Sequence, residues 1–407
     1  MNPSQPIPPH APGVAAPPAS HLGFCPVRLQ RIQTVLQSEV SRQRLPGAVV
    51  LVARGGQTAL FESMGQQDPA TGAPMARDAI FRIYSMTKPI VSVAVMMLAE
   101  QGRLLLSDPV SKYLPEFGAQ QVCHRVDGHV KLQPVRHGAS LHDLLRHTAG
   151  LTYEFLGSAP VQRQYAQARI GSRERSNSEL CATLAGLPLM FEPGSVWEYS
   201  RATDVLGRVI EVISGQTLGE FLRQQVFEPL GMHETWFSVP AAQLGRVAEP
   251  FARDPDGGMT MRVYKIDEPA SLESGGGGLL STAADYARFL QFMANRGELD
   301  GTRLLGPRTV DFMTTDHLGQ IPVNAGASRD LLPVGYGFGL GFAVRQALGV
   351  VAAPGSPGTY YWAGLGGTSF FVDPQLDLIG ILMVQAPNQR EYYRMLFANL
   401  VYAALLD

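Results

Sequence analysis

The chain has 407 residues, of which 45% are hydrophobic and 17% charged, and its formal net charge is −2. That composition supplies a large buried core and excludes a disordered chain, while a near-neutral charge without any Lys/Arg cluster argues against nucleic acid as a partner. No apolar run approaches the roughly 18 residues that span a membrane. Three widely separated cysteines, Cys25, Cys123 and Cys181, offer neither a disulfide framework nor a Cys-x-x-Cys metal site.

Residues 1–24 are rich in Pro and Ala and lack the charged start and the apolar stretch of about 7–15 residues that mark a secretory signal. They read as a disordered or surface-draped tail, with the cytoplasm as the default location. In "LPGAVVLVARGGQTALFESMGQQD" (45–68), two apolar, β-branched runs flank Arg54-Gly55-Gly56, which predicts a hairpin.

Next comes "FRIYSMTKPIVSVAVMMLAEQG" (81–102), holding one of only four lysines in the chain. Proline is tolerated only in the first turn of a helix, so Pro89 places the helix start no more than about four residues before it. Ser85 then lies at that N-terminus, with Ile90 to Leu98 as the apolar body and Gly102 as the end. Residues three apart share a helix face, so the Ser85 hydroxyl and the Lys88 amine can meet. The positive end of the helix dipole and an apolar surround both disfavour an ammonium, which makes Lys88 a better base. Ser85 as a plain helix cap is the competing reading, since Ser-x-x-Lys arises by accident in about one such chain in four.

From about 116 to 270 the pattern is helical: "SLHDLLRHTAG", "SELCATLAGLPLM", "ATDVLGRVIEVISG" and "TLGEFLRQQVFEPLG", several ended by Gly. His124, His129, His137, His142 and His147 crowd this region. None has His-Glu-x-x-His spacing, and they read as surface or capping residues. "SGGGGLLSTAADYARF" (274–289) lacks the Gly-Lys-Ser ending of a phosphate loop and predicts close backbone packing, then a helix capped at Ser281 or Thr282. Short strand-like pieces divided by Gly and Pro fill 332–384, and the closing stretch has helical spacing. Strands at both ends with helices between predict an α/β fold of the α+β kind: an antiparallel sheet built from both termini and flanked by helices. Residues 25–115 together with 271–407 would form that sheet domain, and 116–270 an inserted, mostly helical one.

An ordered series, "SMTK", "LSDPVSKYLPEF", "LHDLLRHTAGL", "FEPGSVWEYS", "PLGMHETWF", "GGGGLLSTAADYARF" and "GGTSFFVDP", resembles the serine β-lactamase and penicillin-binding-protein superfamily over residues 40–385. Within it the chain looks most like the class C β-lactamase-like carboxylesterases of family VIII. The resemblance implies the transpeptidase-like fold, no cofactor and no metal, and a small-molecule ester as substrate. It puts the nucleophile on Ser85, its lysine on Lys88 and the catalytic tyrosine on Tyr199, which by residue type alone reads as a core tyrosine.

Two motifs depart from the β-lactamase pattern. Tyr-x-Asn is replaced by Tyr199-Ser200-Arg201, and Lys-Thr-Gly by Trp362-Ala363-Gly364, so a cationic handle gives way to an apolar wall. Those departures, with Asp204, resemble the esterase branch. The implied mechanism uses Lys88 and a deprotonated or proton-sharing Tyr199 to take the Ser85 proton. The N–H groups of Ser85 and Leu365 would form the oxyanion hole, and Trp362, Gly364 and Arg201 would line the substrate site. Arg201 reads equally as a substrate handle or a salt-bridge partner. β-Lactamase, D-amino-acid peptidase, amidase and acyltransferase activities of the same superfamily are the alternatives, and a catalytically silent fold is the rival from another class.

Overall fold

The computed structural model describes residues 19–126, 129–266 and 269–407. Eight strands form the main sheet: β1 (Gly47–Arg54), β2 (Gln57–Asp68), β3 (Ala73–Pro74), β4 (Tyr336–Phe338), β5 (Ala343–Arg345), β6 (Tyr360–Ala363), β7 (Ser369–Asp373) and β8 (Leu378–Val384). Their order is β4-β5-β6-β7-β8-β1-β2-β3, antiparallel throughout. The sheet is therefore built from both ends of the chain, with the seam at its middle, where Ala48 to Arg54 pair with Val384 to Leu378. The β1–β2 hairpin turns on Gly55 and Gly56, at φ of 56° and 75°, the left-handed values that a tight hairpin requires and glycine adopts without strain.

Helices cover both faces. The helices are α1 (Pro26–Ser41), α2 (Thr87–Glu100), α3 (Ala202–Ser214), α4 (Ala283–Ala294) and α5 (Arg390–Ala403). Successive strand residues point to opposite faces. Phe370 of β7 meets Tyr286 of α4 at 5.3 Å between ring centres, while its neighbour Phe371 meets Phe397 and Tyr402 of α5. This double cover explains why β1 is apolar along nearly its whole length, with seven of its eight residues buried. In α2 every residue from Thr87 to Leu98 is buried, as the sequence "TKPIVSVAVMML", apolar all round, requires.

The region between the sheet segments carries short helices closed by capping boxes, Ser140 with Asp143, Ser176 with Glu179 and Thr217 with Glu220. It also contains a feature the helical reading did not anticipate, a hairpin of Gln121–Val126 with His129–Pro134. Between Arg246 and Leu280 the described residues form no helix or strand. No helix among the described residues is long and apolar enough to cross a membrane.

Of the Pro/Ala-rich stretch, residues 1–18 lie outside the described residues. Its end is not surface-draped: Ala19–Leu22 form a 3₁₀ turn, and Phe24 is fully buried, bridged to Leu405 beyond α5. An aromatic side chain can repay the entropy of ordering where Pro and Ala cannot. Phe24→Ala should therefore cost about 3 kcal/mol, read as a lowered midpoint in urea. An unchanged midpoint would show that this segment contributes nothing to the fold.

Candidate active site

The site begins where the chain leaves a short ladder, Phe81–Arg82 against Leu280–Ser281, and enters α2 through a single 3₁₀ turn, Tyr84–Met86. Tyr84 holds φ at +44°, a left-handed conformation costing about 1 kcal/mol or more for a side chain of this size. The strained residue directly precedes Ser85, which faces a cleft of about 1030 Å³.

Lys88 lies one turn further on and is completely buried. Its Nζ is 3.3 Å from Ser85 Oγ, 2.9 Å from Tyr153 Oη and 2.7 Å from the Gly276 carbonyl. Burial lowers its pKa to about 7, although the negative charge of Asp204 works in the opposite direction. Near neutrality a large share of this amine is uncharged. A neutral amine has two N–H donors and one lone pair. With the donors spent on Gly276 and Tyr153, the lone pair is left for Ser85.

Gly276 is held for this purpose. Asp204 Oδ1 accepts from the Gly276 N–H at 3.0 Å and from Ser274 Oγ. A Cβ on residue 276 would lie 2.8 Å from Asp204 Oδ2, and one on residue 275 only 2.5 Å from the Thr203 carbonyl. The glycine run thus allows backbone to pack on the start of α3, and Thr282 then caps α4 by accepting from the Asp285 N–H.

Tyr199 is buried with its ring under Lys88, the Nζ standing 4.5 Å from the ring centre. Its hydroxyl is bonded to Ser85 and accepts from Trp362 Nε1 at 3.4 Å. Burial pushes the phenol pKa up, more than those bonds pull it down, and burial does the same to Tyr153. Burial thus favours the neutral phenol at Tyr199, as it favours the neutral amine at Lys88. Lys88 is the group whose pKa suits a base.

On the far side, β6 ends at Ala363 and the chain turns at Gly364, whose Cβ would sit 2.5 Å from the Ile83 carbonyl. This contact sets the turn against the segment that leads to Ser85. Leu365 and Ser85 both line the cleft, and among the described residues no acceptor takes the N–H of either. Trp362 is buried and edges the cleft beside Tyr199, with 5.3 Å between ring centres. Arg201 reaches the cleft wall but is engaged by Glu154 at 2.5 Å and Asp204 at 3.6 Å, so its charge is already matched.

The structure adds Tyr153 and the Gly276 carbonyl, which the sequence reading did not single out. It also corrects the reading of two histidines as surface or capping residues. His147 is fully buried, its ring 4.9 Å from Tyr199 and its Nδ1 3.1 Å from Ser200 Oγ, and burial holds it uncharged. His142 is half-buried against His317 at 2.9 Å. Among the described residues no group of His, Cys, Asp or Glu is arranged to hold a metal.

The sequence profile of the Beta-lactamase family matches residues 32–404. Esterase EstB of Burkholderia gladioli is 35% identical over 374 residues, 87% of this chain and 89% of that protein. An uncharacterised protein of Mycobacterium tuberculosis is 35% identical over 351 residues, 84% of this chain and 86% of that one. Among solved structures, EstCE1, a hydrolase with promiscuous acyltransferase activity, superposes with a TM-score of 0.77 at 29% identity, covering 92% of this chain and 99% of that chain.

With four lysines in the chain, Lys88 can be followed by NMR after ¹⁵N-lysine labelling. Its resonance should titrate with a midpoint near 7. Asp204→Asn should move the midpoint lower, because it removes the charge that favours the ammonium. A midpoint near the ordinary lysine value, about 10.4, would contradict the environment described.

Proposed function

The chain belongs to the Beta-lactamase family, and we propose that it is a serine carboxylesterase acting on short to medium acyl esters through an acyl-enzyme on Ser85. The observation that carries the reading is the Lys88 amine, 3.3 Å from Ser85 Oγ with its other directions occupied by Gly276 and Tyr153. Esterase EstB and the hydrolase EstCE1 supply the analogy for an ester substrate.

In the proposed cycle, neutral Lys88 takes the Ser85 proton as Oγ attacks the ester carbonyl. The oxyanion is met by the N–H groups of Ser85 and Leu365. When the tetrahedral intermediate collapses, Tyr199 gives its proton to the departing alkoxide, leaving an acyl-serine, an ammonium on Lys88 and a phenolate on Tyr199. Water then enters. The phenolate takes one of its protons as hydroxide adds to the acyl carbon, and Lys88 returns its proton to Ser85 as the acid leaves. Both side chains end as they began. Tyr153 keeps its proton throughout and acts as the hydrogen-bond partner that aims the amine. An alcohol in place of water would make the same intermediate a donor for acyl transfer. Trp362 puts an apolar ring where the Lys-Thr-Gly motif has its cation, so the carboxylate of a β-lactam finds no partner at that position.

Ser85→Ala should lower p-nitrophenyl butyrate turnover on the order of 10⁴-fold. Mass spectrometry of the native protein should find the acyl group on Ser85, with little turnover of a chromogenic cephalosporin. Since only the neutral amine accepts the serine proton, kcat/KM should rise with pH through an inflection near 7. Ester turnover that survives loss of the Ser85 hydroxyl would overturn the assignment, and cephalosporin turnover at the ester's rate would make a β-lactamase the better reading.

A further inference from the structure

The chain as a whole is slightly acidic, yet the charged side chains lining the cleft are five arginines, Arg173, Arg201, Arg262, Arg390 and Arg394, against two carboxylates, Asp330 and Glu391. Three of the arginines are accounted for. Arg201 is paired with Glu154 and Asp204, and Arg390 and Arg394 both lie against Glu391. Arg262 is exposed at the rim. Arg173 is different. It is half-buried, no carboxylate among the described residues lies within ion-pair distance of it, and its guanidinium stacks on Tyr264 with 3.9 Å to the ring centre.

That stack is fixed and close to the chemistry. Tyr264 is held by its carbonyl, which accepts from Arg82 Nε at 2.8 Å, and its hydroxyl points at the Gly278 and Leu279 carbonyls. Its ring meets Tyr84 edge-on at 5.1 Å, and Tyr84 directly precedes Ser85. Arg82 also lies over the Tyr264 ring, but its charge is matched by Glu249 at 2.8 Å. An arginine stacked on an aromatic ring loses freedom without losing its N–H edge, and that planar edge suits a carboxylate. A half-buried cation with no counter-ion among the described residues offers an unfilled half of a salt bridge.

We infer that Arg173 is an anion handle and that the cleft takes esters bearing a carboxylate, such as half-esters of dicarboxylic acids, with the free carboxylate on Arg173 and the ester carbonyl at Ser85. The inference rests on the reading of Ser85 as acting on esters, and it adds the charge of the substrate. The surplus of arginines in the cleft raises the local concentration of such anions before contact.

Binding can be separated from turnover. Calorimetric titration of the Ser85→Ala protein with ethyl hydrogen glutarate and with the neutral diethyl glutarate compares one charge on one framework. The half-ester should bind about tenfold more tightly, and the margin should shrink as salt is raised. Adding Arg173→Gln should abolish the preference, while Arg173→Lys should keep part of it. Equal affinities, or a preference that survives Arg173→Gln, would overturn the inference. Turnover of both esters by the native protein reports on the other reading. Charge-selective binding without hydrolysis would keep the handle and discard the esterase, and hydrolysis without charge selectivity would do the reverse.

Discussion

The buried amine of Lys88 is the constraint around which the site is arranged. A lysine with no exposure cannot carry a full charge cheaply, and one with no partners cannot be tolerated at all. The fold meets this on both sides. Gly276 and Tyr153 satisfy two N–H groups, and the Tyr199 ring face beneath the nitrogen tolerates the ammonium when it forms. Asp204 keeps the pKa from falling further. An amine in that balance changes charge easily in either direction, as a group passing protons to and from a serine must.

Each of these partners comes from a different part of the chain. The turn at Ser85 leads into a helix buried on every side, Tyr153 follows the first short helix of the middle region, and Gly276 lies near the end of a long stretch without regular structure. What brings them together is close backbone packing. Glycine at 276 lets the chain touch Asp204, and glycine at 364 lets the end of β6 touch the Ile83 carbonyl. Without side chains at these points two backbones approach within contact of the site, and any larger residue would move the carbonyl that holds Lys88 or the turn that carries Leu365.

Much of this was legible from local pattern. Gly55-Gly56 between β-branched runs marked the hairpin, and Pro89 dated the start of α2, which begins two residues ahead of it. The Ser85–Lys88 contact followed from helical spacing. Tyr199 and Trp362 became visible only through the ordered motifs of a family. Tyr153 was invisible, because its part depends on a contact 65 residues distant. Of the crowded histidines, read as surface or capping residues, His137 is exposed while His147 turns inward, its backbone at φ of +57°. The unforeseen hairpin at 121–134 did have a signal, the Asp127-Gly128 dipeptide between its strands.

The seam at the middle of the sheet has a consequence for how the protein is made. Strand β1 pairs on one edge with β2, which is synthesised immediately after it, and on the other with β8, which leaves the ribosome more than three hundred residues later. Until β8 emerges, β1, buried along nearly its whole length in the finished sheet, presents an open ladder edge. Synthesis at about 5–20 residues per second makes that interval tens of seconds. A nascent chain of this architecture therefore needs shielding, and a transcript cut short before residue 378 yields an exposed sheet edge in place of a smaller enzyme.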